Sequence, residues 1–397
     1  MEKRIIHLNV ADFAVAVERV VDRRLRTRAV IVSQESGPRA VVYDMSDEAY
    51  RDGVRKGMVL GRAKRLARTA AVVSPKLDLY ERAMKAFAKH ALPFSPLVES
   101  GGWDGHVFLD VSGVGRLFGP PQDIARSIRL SAVRGMSLNP VWAVASNKLV
   151  SKVATRLVKP FGECVVPDGD EEKFVRPVPL PILPGMLESE IAGLRELNIG
   201  VAGEAHCLSM RHLEILVGPR ARVLYETVRG TDNSPVLAAG SAGPTVLAEH
   251  TFKGDTNDAR EVESALYLCV ERVGAELRGR GLGAKYCAVS ISYCDGARVV
   301  RRVSLGSVFT NAELYSRALR GLGAAWSRRV RLRHVRLAAE GLYAAPTQLE
   351  LFAENTRDEA RNGAIDAALD SLRARFGQKS AMLGRTAASH GHAGQMF

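Results

Sequence analysis

Ten arginines stand between Arg298 and Arg336, with no lysine and a single acidic residue, Glu313. A guanidinium is a permanent cation whose planar fork of donors matches phosphate oxygens. A merely solvated face mixes both signs, so a run this one-sided points to a polyanion whose phosphates it tracks. Arg298, Arg301, Arg302, Arg328, Arg329, Arg331 and Arg333 are the candidate contacts. The formal net charge of +13 over 397 residues favours the same kind of partner. Other chemistries that spacing can announce are missing. The five cysteines, Cys164, Cys207, Cys269, Cys287 and Cys294, are scattered and form no Cys-x-x-Cys pair, which argues against a disulfide framework and a zinc site. The glycine string at 281–283 lacks a strand–loop–helix setting and is not read as a phosphate loop.

These side chains need a framework. Hydrophobic residues make up 46% of the chain, enough to fill the cores of two to four domains. No apolar run approaches a membrane span, and MEKRIIHLNVADF lacks the layout of a signal peptide, so a cytoplasmic, nucleoid-associated protein is expected. Residues 5–10 read as a buried strand. Phe13, Val17, Val20, Val21 and Leu25 share one face of a helix over 12–25. Strands are predicted at 29–33, 40–43, 70–73, 106–111 and 139–145. Helices are predicted at 46–52, 60–68, 76–92 and 147–158. This is an α+β pattern with a mixed or antiparallel sheet. Pro167, Pro177, Pro179, Pro181 and Pro184 mark a boundary, after which 187–229 holds short helices only. The stretch 237–247 reads as a linker. Residues 248–340 run strand, helix, strand, strand, helix, strand, and a polar tail from 346 carries one more helix near 357–375.

Several segments, in order, resemble the Y-family (translesion, DinB/UmuC-like) DNA polymerases. They are ADFAVAVERV at 11–20, GVRKGMVLGRAKRLA at 53–67, FSPLVES at 94–100 with FLDVSGVGRLFG at 108–119, ASNKLVSKVATRLVKPFG at 145–162, LPILPGMLESEIAGLRELNI at 180–199 and LYETVRGTDNSPV at 224–236. The resemblance implies an α+β architecture of palm (1–24 and 72–165), fingers (25–71), helical thumb (166–236) and Arg-rich little finger (248–345). It also implies DNA-damage tolerance and primer–template DNA as partner.

The family's two-metal chemistry needs an Asp in the first strand and an Asp-Glu pair before the second. Aligned on Phe13 and on Phe108-Leu109-Asp110, those positions hold Asn9, Gly105 and His106. Ala11 replaces the next acidic position. Asp12 and Asp104 lie nearby but out of register. In the fingers, Asp47 and Tyr50 replace the triphosphate-gripping Tyr and Arg, and Ala14 replaces an aromatic gate. Lys159 is the one nucleotide-binding candidate that is kept. In the thumb's helix-hairpin-helix turn, Gly185 is present but Leu187 replaces the second Gly. No intact catalytic residue, no metal and no cofactor are therefore expected, with Mg²⁺ only if the metal site is rewired.

Residues 348–352, Gln-Leu-Glu-Leu-Phe, resemble the motif by which bacterial proteins bind the β sliding clamp. Gln348 would bond at a pocket rim, Leu351 and Phe352 would fill an apolar pocket, and Leu349 belongs to the same clamp-binding set. The whole is closest to the catalytically inactive ImuB-type subunit of the bacterial mutasome, which acts in SOS mutagenesis. That type implies a replicative-type error-prone polymerase and a RecA-like accessory protein as further partners. Two alternatives are an active translesion polymerase with a rewired metal site and a basic DNA-binding protein with no clamp role.

Overall fold

The computed structural model describes residues 3–33, 40–239, 245–306, 310–344, 356–377, 380–381 and 383–386. The chain separates into two compact units, Met1–Ser241 and Ala242–Phe397. The fold is α+β, as the sequence pattern implies.

The first unit holds strands β1 (Ile5–Asn9), β2 (Val30–Val32), β3 (Asp44–Met45), β4 (Ala71–Val73), β5 (Val98–Ser100), β6 (His106–Asp110), β7 (Val141–Ala145) and β8 (Glu163–Val165). Five form a sheet in the order β5-β6-β1-β7-β8, and three form a small sheet in the order β3-β2-β4. All five residues of β1 are buried, because helices cover both faces of its sheet. Leu8, Val107 and Trp142, in register across β6, β1 and β7, turn towards helices α1 (Phe13–Val21), α2 (Leu77–Lys89) and α3 (Pro121–Met136) and fill the main core. Their neighbours His7, Phe108 and Ala143 take the opposite face, against α4 (Lys148–Leu157). Short helices at Glu171–Val175, Glu188–Glu196, Met210–Val217 and Ala221–Val228 follow, around a core that includes Leu180, Leu194, Leu213 and Leu224.

Three local expectations change. Residues 40–43 form no strand: Val42 N and Leu60 N bond to Met58 and Ala40 carbonyls, so this stretch pairs with a loop and only Val41 makes an isolated bridge. The 16-residue α3, opening on Pro121, was not expected from the pattern. Strand β9 (Thr245–Thr256) begins inside the stretch read as a linker.

The second unit adds β10 (Leu282–Tyr293), β11 (Arg298–Ser304) and β12 (Leu332–Ala344), antiparallel in the order β11-β10-β12-β9. Helices α5 (Ala259–Gly279) and α6 (Asn311–Ala325) cover one face, where Cys287, Val289, Ile291, Val335 and Leu337 are buried. Helix α7 (Thr356–Phe376) follows. All five cysteines are free. Among the described residues, no helix is long and apolar enough to cross a membrane.

Candidate active site and nucleic-acid interface

The ends of β1 and β6 bring Asn9 and His106 into register, with His7 one step along the same face. A polar chain runs through them. The Asn9 amide nitrogen lies 2.7 Å from His106 Nδ1 and 3.0 Å from Nε2, His106 Nδ1 lies 2.9 Å from His7 Nε2, and His7 Nδ1 lies 2.7 Å from Thr155 Oγ1. Donor counting orders the protons. Thr155 gives its hydroxyl proton to the Lys152 carbonyl, so His7 Nδ1–H donates to Thr155 Oγ1. A neutral His7 then accepts at Nε2 from His106 Nδ1–H, so that of the two His106 nitrogens beside the Asn9 amide only Nε2 is an acceptor.

Both imidazoles are held neutral. Burial lowers His106 to about 2, assisted by the positive charges of Lys152, Lys159, Arg156 and Lys56. Burial also drives His7 well below its ordinary value. Gly105 sits at a backbone φ of +77°, where a Cβ would stand 2.8 Å from the Val10 carbonyl and 2.9 Å from Phe13 Cβ. The loop thus needs glycine at this position.

The carboxylates nearest this chain serve other purposes. Asp44, 2% exposed, accepts from Ala14 N at 3.0 Å and pairs with Lys56 at 2.8 Å. It therefore supplies the negative charge at the N-terminus of α1. Burial, with the charge of Asp44 beside it, raises Asp12 to about 6. Asp104 accepts from the backbone of His106. Protein packed around its ammonium lowers Lys159 to about 8, against the pull of Asp12, although the side chain keeps solvent exposure. Asp47 pairs with Arg51, and the Arg55 guanidinium lies 3.8 Å over the Tyr50 ring. A cavity of about 440 Å³ lined by Asp12, Arg19, Asp47 and Phe161 opens beside α1.

The structure thus brings Asn9, Gly105, His106 and Lys159 into one neighbourhood. His7, Thr155, Lys152, Arg156, Lys56 and Asp44 complete it and were missed. One signal was available: His7 and Asn9, two residues apart, are the only polar side chains of an otherwise apolar strand. Gly185 lies elsewhere, with a φ of +78° and its carbonyl bonded to Arg220.

In the second unit the arginines divide. Ser292 stands between Arg298 and His334, Ser290 between Val300 and Arg336, and Ala288 between Arg302 and Ala338, so Arg298, Arg302 and Arg336 share the sheet face that the helices leave open. Glu340 pairs with Arg302 at 2.9 Å on that face. Arg301 lies opposite Val289 and so takes the other face. Arg328 and Arg333, at the end of the sheet, pair with Asp295 and Asp255. Arg329 and Arg331 are exposed beside them. Gln348, Leu349, Leu351 and Phe352 lie outside the described residues.

The impB/mucB/samB family model matches residues 8–156, and the model of that family's C-terminal domain matches 244–351. DNA polymerase IV of Dehalococcoides mccartyi is 32% identical over 389 residues, 97% of each chain. DNA polymerase IV of Alkalilimnicola ehrlichii is 30% identical, over 80% of this chain and 88% of its own. Among solved structures, a Y-family DNA polymerase chimera of Dbh and Dpo4 superposes with a TM-score of 0.72 at 18% identity, covering 85% of this chain and 98% of its own. The insertion ternary complex of Dbh DNA polymerase gives 0.62 at 19%, with the same coverage.

These relatives correct one expectation. Polymerases of this family normally need divalent metal ions such as Mg²⁺, so the expectation of no cofactor does not stand. The residues at the strand ends are nevertheless a poor match to such an ion. Asn9 Oδ1 is a buried oxygen without a partner, but Gly105 offers no side chain and both His106 nitrogens belong to the polar chain. Among the described residues no three His, Cys, Asp or Glu are grouped to hold a metal. By sequence and by fold, the chain belongs to the impB/mucB/samB family, the Y-family DNA polymerases of DNA damage tolerance.

Proposed function

We propose that this protein binds primer–template DNA during damage tolerance without itself joining nucleotides, in the manner of the ImuB-type subunit. The observation that carries the reading is the neutral chain Asn9–His106–His7–Thr155, whose Asn9 and His106 occupy two of the positions where the resemblance implies carboxylates. Nucleotide transfer generates negative charge that metal-bound carboxylates must organise. A ring of lysines and arginines around neutral imidazoles attracts phosphate but does not activate a primer hydroxyl.

The division into palm, fingers, thumb and little finger is part of the same reading. Phosphate contacts come from the second unit, through Arg298, Arg302 and Arg336 on the open face and Arg329 and Arg331 at its end. They carry position rather than sequence, as tolerance of damaged bases demands. Recruitment rests on Gln348–Phe352 and the β sliding clamp. The protein then acts in the cytoplasm at the nucleoid, alongside a replicative-type error-prone polymerase and a RecA-like accessory protein.

A second reading, an active polymerase with a rewired metal site, is favoured by the name its relatives carry and by Asp12, Asp44 and Asp104 around the site. Primer extension with purified protein and Mg²⁺ or Mn²⁺ separates the two. No incorporation above the protein-free control is expected. Template-directed extension that survives stringent purification overturns the first reading and establishes the second.

A further inference from the structure

Helix α7 docks on the second unit by its polar side. Asp366 accepts from Asn311 N at 2.8 Å and from its amide at 2.9 Å, at the start of α6. Asp370 accepts from Arg278 at 2.8 Å, and Arg373 donates to Glu271 at 2.9 Å. Asp366 and Arg373 are only 5% and 8% exposed. These anchors, spaced at i, i+4 and i+7, define one face of the helix.

About a quarter turn round from that face runs an apolar row. Ile365 is 42% exposed, Leu372 44% and Phe376 64%, at i, i+7 and i+11, with exposed Ala368 between them. Single exposed apolar residues are ordinary on any surface. A row aligned over three turns, on a helix anchored by the buried charges of Asp366 and Arg373, is a different arrangement. Rotating the helix by about 100° would bury the row and free the ions, yet the hydrogen bonds from Asn311 and the ion pairs at Arg278 and Glu271 fix the helix with the row facing solvent.

We infer that this row is a docking surface for an amphipathic helix of another protein, one that carries an aliphatic stripe flanked by carboxylates. The charge comes from Arg361 and Arg375, both exposed and both along the same flank of the row. A second copy of the chain fits badly. Antiparallel pairing that sets Ile365 against Leu372 brings Arg361 of one copy against Arg375 of the other, and parallel pairing matches each arginine with itself. Like charges in such positions are repulsive, and the net charge of +13 adds to this. The inference is independent of whether the protein polymerises DNA or binds the clamp.

The test uses the full chain and two synthetic helical peptides, each as long as α7, with the same leucine stripe, one flanked by glutamates and the other by lysines. Fluorescence anisotropy should show saturable binding of the acidic peptide alone. Leu372→Ser with Phe376→Ser should weaken it by about ten-fold or more, the loss expected when central apolar anchors go. Ile365→Ser alone should give a smaller loss, and because all three positions are exposed, the melting temperature should not move. Failure of the acidic peptide to bind overturns the inference. Equal binding by wild type and variants, or of both peptides, overturns it as well. A chain that sediments as a dimer, and becomes monomeric in the Leu372→Ser/Phe376→Ser variant, would assign the row to a second copy and also overturn it.

Discussion

Asn9 and His106 face each other at the ends of β1 and β6, with the Asn9 amide nitrogen 3.0 Å from His106 Nε2. The pair is the first link of a polar chain that runs through His7 and Thr155 and ends on the Lys152 carbonyl. Such a chain tolerates no extra proton. Adding one to either imidazole removes an acceptor and leaves two donors facing each other in a buried place.

That intolerance sets a pH dependence. His106 is lowered to about 2 and His7 is lowered as well, so below 6.5 the unfolded chain binds more protons than the folded one. Stability therefore rises with pH through that window and is lost as pH falls below 6.5. His106 contributes up to about 1.4 kcal/mol per pH unit there, or about 2 kcal/mol at pH 5, and His7 acts in the same direction. Chemical denaturation at pH 7.5, 6 and 5 should show this decline. His106→Gln should flatten it. An unchanged slope would mean that neither ring is kept neutral by the fold.

Gly105 resists replacement by an acid. Replacing it with Asp adds a Cβ 2.8 Å from the Val10 carbonyl and forces a side chain into a positive-φ conformation. Gly105→Asp should destabilise the first unit by about 1 to 3 kcal/mol. The triple variant Asn9→Asp, Gly105→Asp, His106→Glu should accordingly melt lower than wild type and still fail to extend a primer. Restored extension with undiminished stability would show that the backbone here accommodates an acid.

How much of this was legible in the sequence depended on the range of the interaction. Alternation and helical spacing placed β1, α1, α2 and the order of elements in the second unit, because these signals are local. Residues 40–43 were misread because their partners, Met58 and Leu60, are tertiary and no local propensity reports them. Asn9 and His106 were legible as candidate positions at the strand ends, but the polar chain that joins them was not. Thr155 lies 148 positions from His7, and only folding brings the two together. The arginine run was visible as a run. Which members share the open face follows from the register of β10 with β11 and β12, which no local pattern encodes.

The division of the arginines yields a graded prediction. Arg329 and Arg331 are exposed, whereas Arg328 and Arg333 are already paired with Asp295 and Asp255. Arg329→Gln with Arg331→Gln should weaken binding to every duplex alike. The same change should lower the slope of log K against log salt by about 2, near 0.9 for each phosphate no longer neutralised. Arg298→Gln with Arg336→Gln should do the same from the open face. Arg328→Gln with Arg333→Gln should do less, since Asp295 and Asp255 already offset those charges. Salt titrations with two unrelated duplex sequences decide it. A sequence-dependent loss, or a larger loss from Arg328 and Arg333, would misplace the phosphate-tracking face.

The last prediction separates a clamp-recruited protein from a basic DNA-binding protein with no such role. In the motif Gln348–Phe352 the two anchors are Leu351 and Phe352, and a free peptide this short pays an ordering cost on binding. An isolated peptide of these residues should bind the cognate clamp with roughly micromolar affinity, as short two-anchor motifs do. Leu351→Ala with Phe352→Ala removes both anchors, at about 2 kcal/mol or more each by the behaviour of central interface residues. Clamp binding by the full chain should then become undetectable in calorimetry. Affinity for primer–template DNA should stay unchanged, because the arginines that supply it are untouched. Equal clamp binding by wild type and variant would make the motif a packing element of this chain. Recruitment would then be without support, and the arginine-bearing sheet alone would have to explain how the protein reaches damaged DNA.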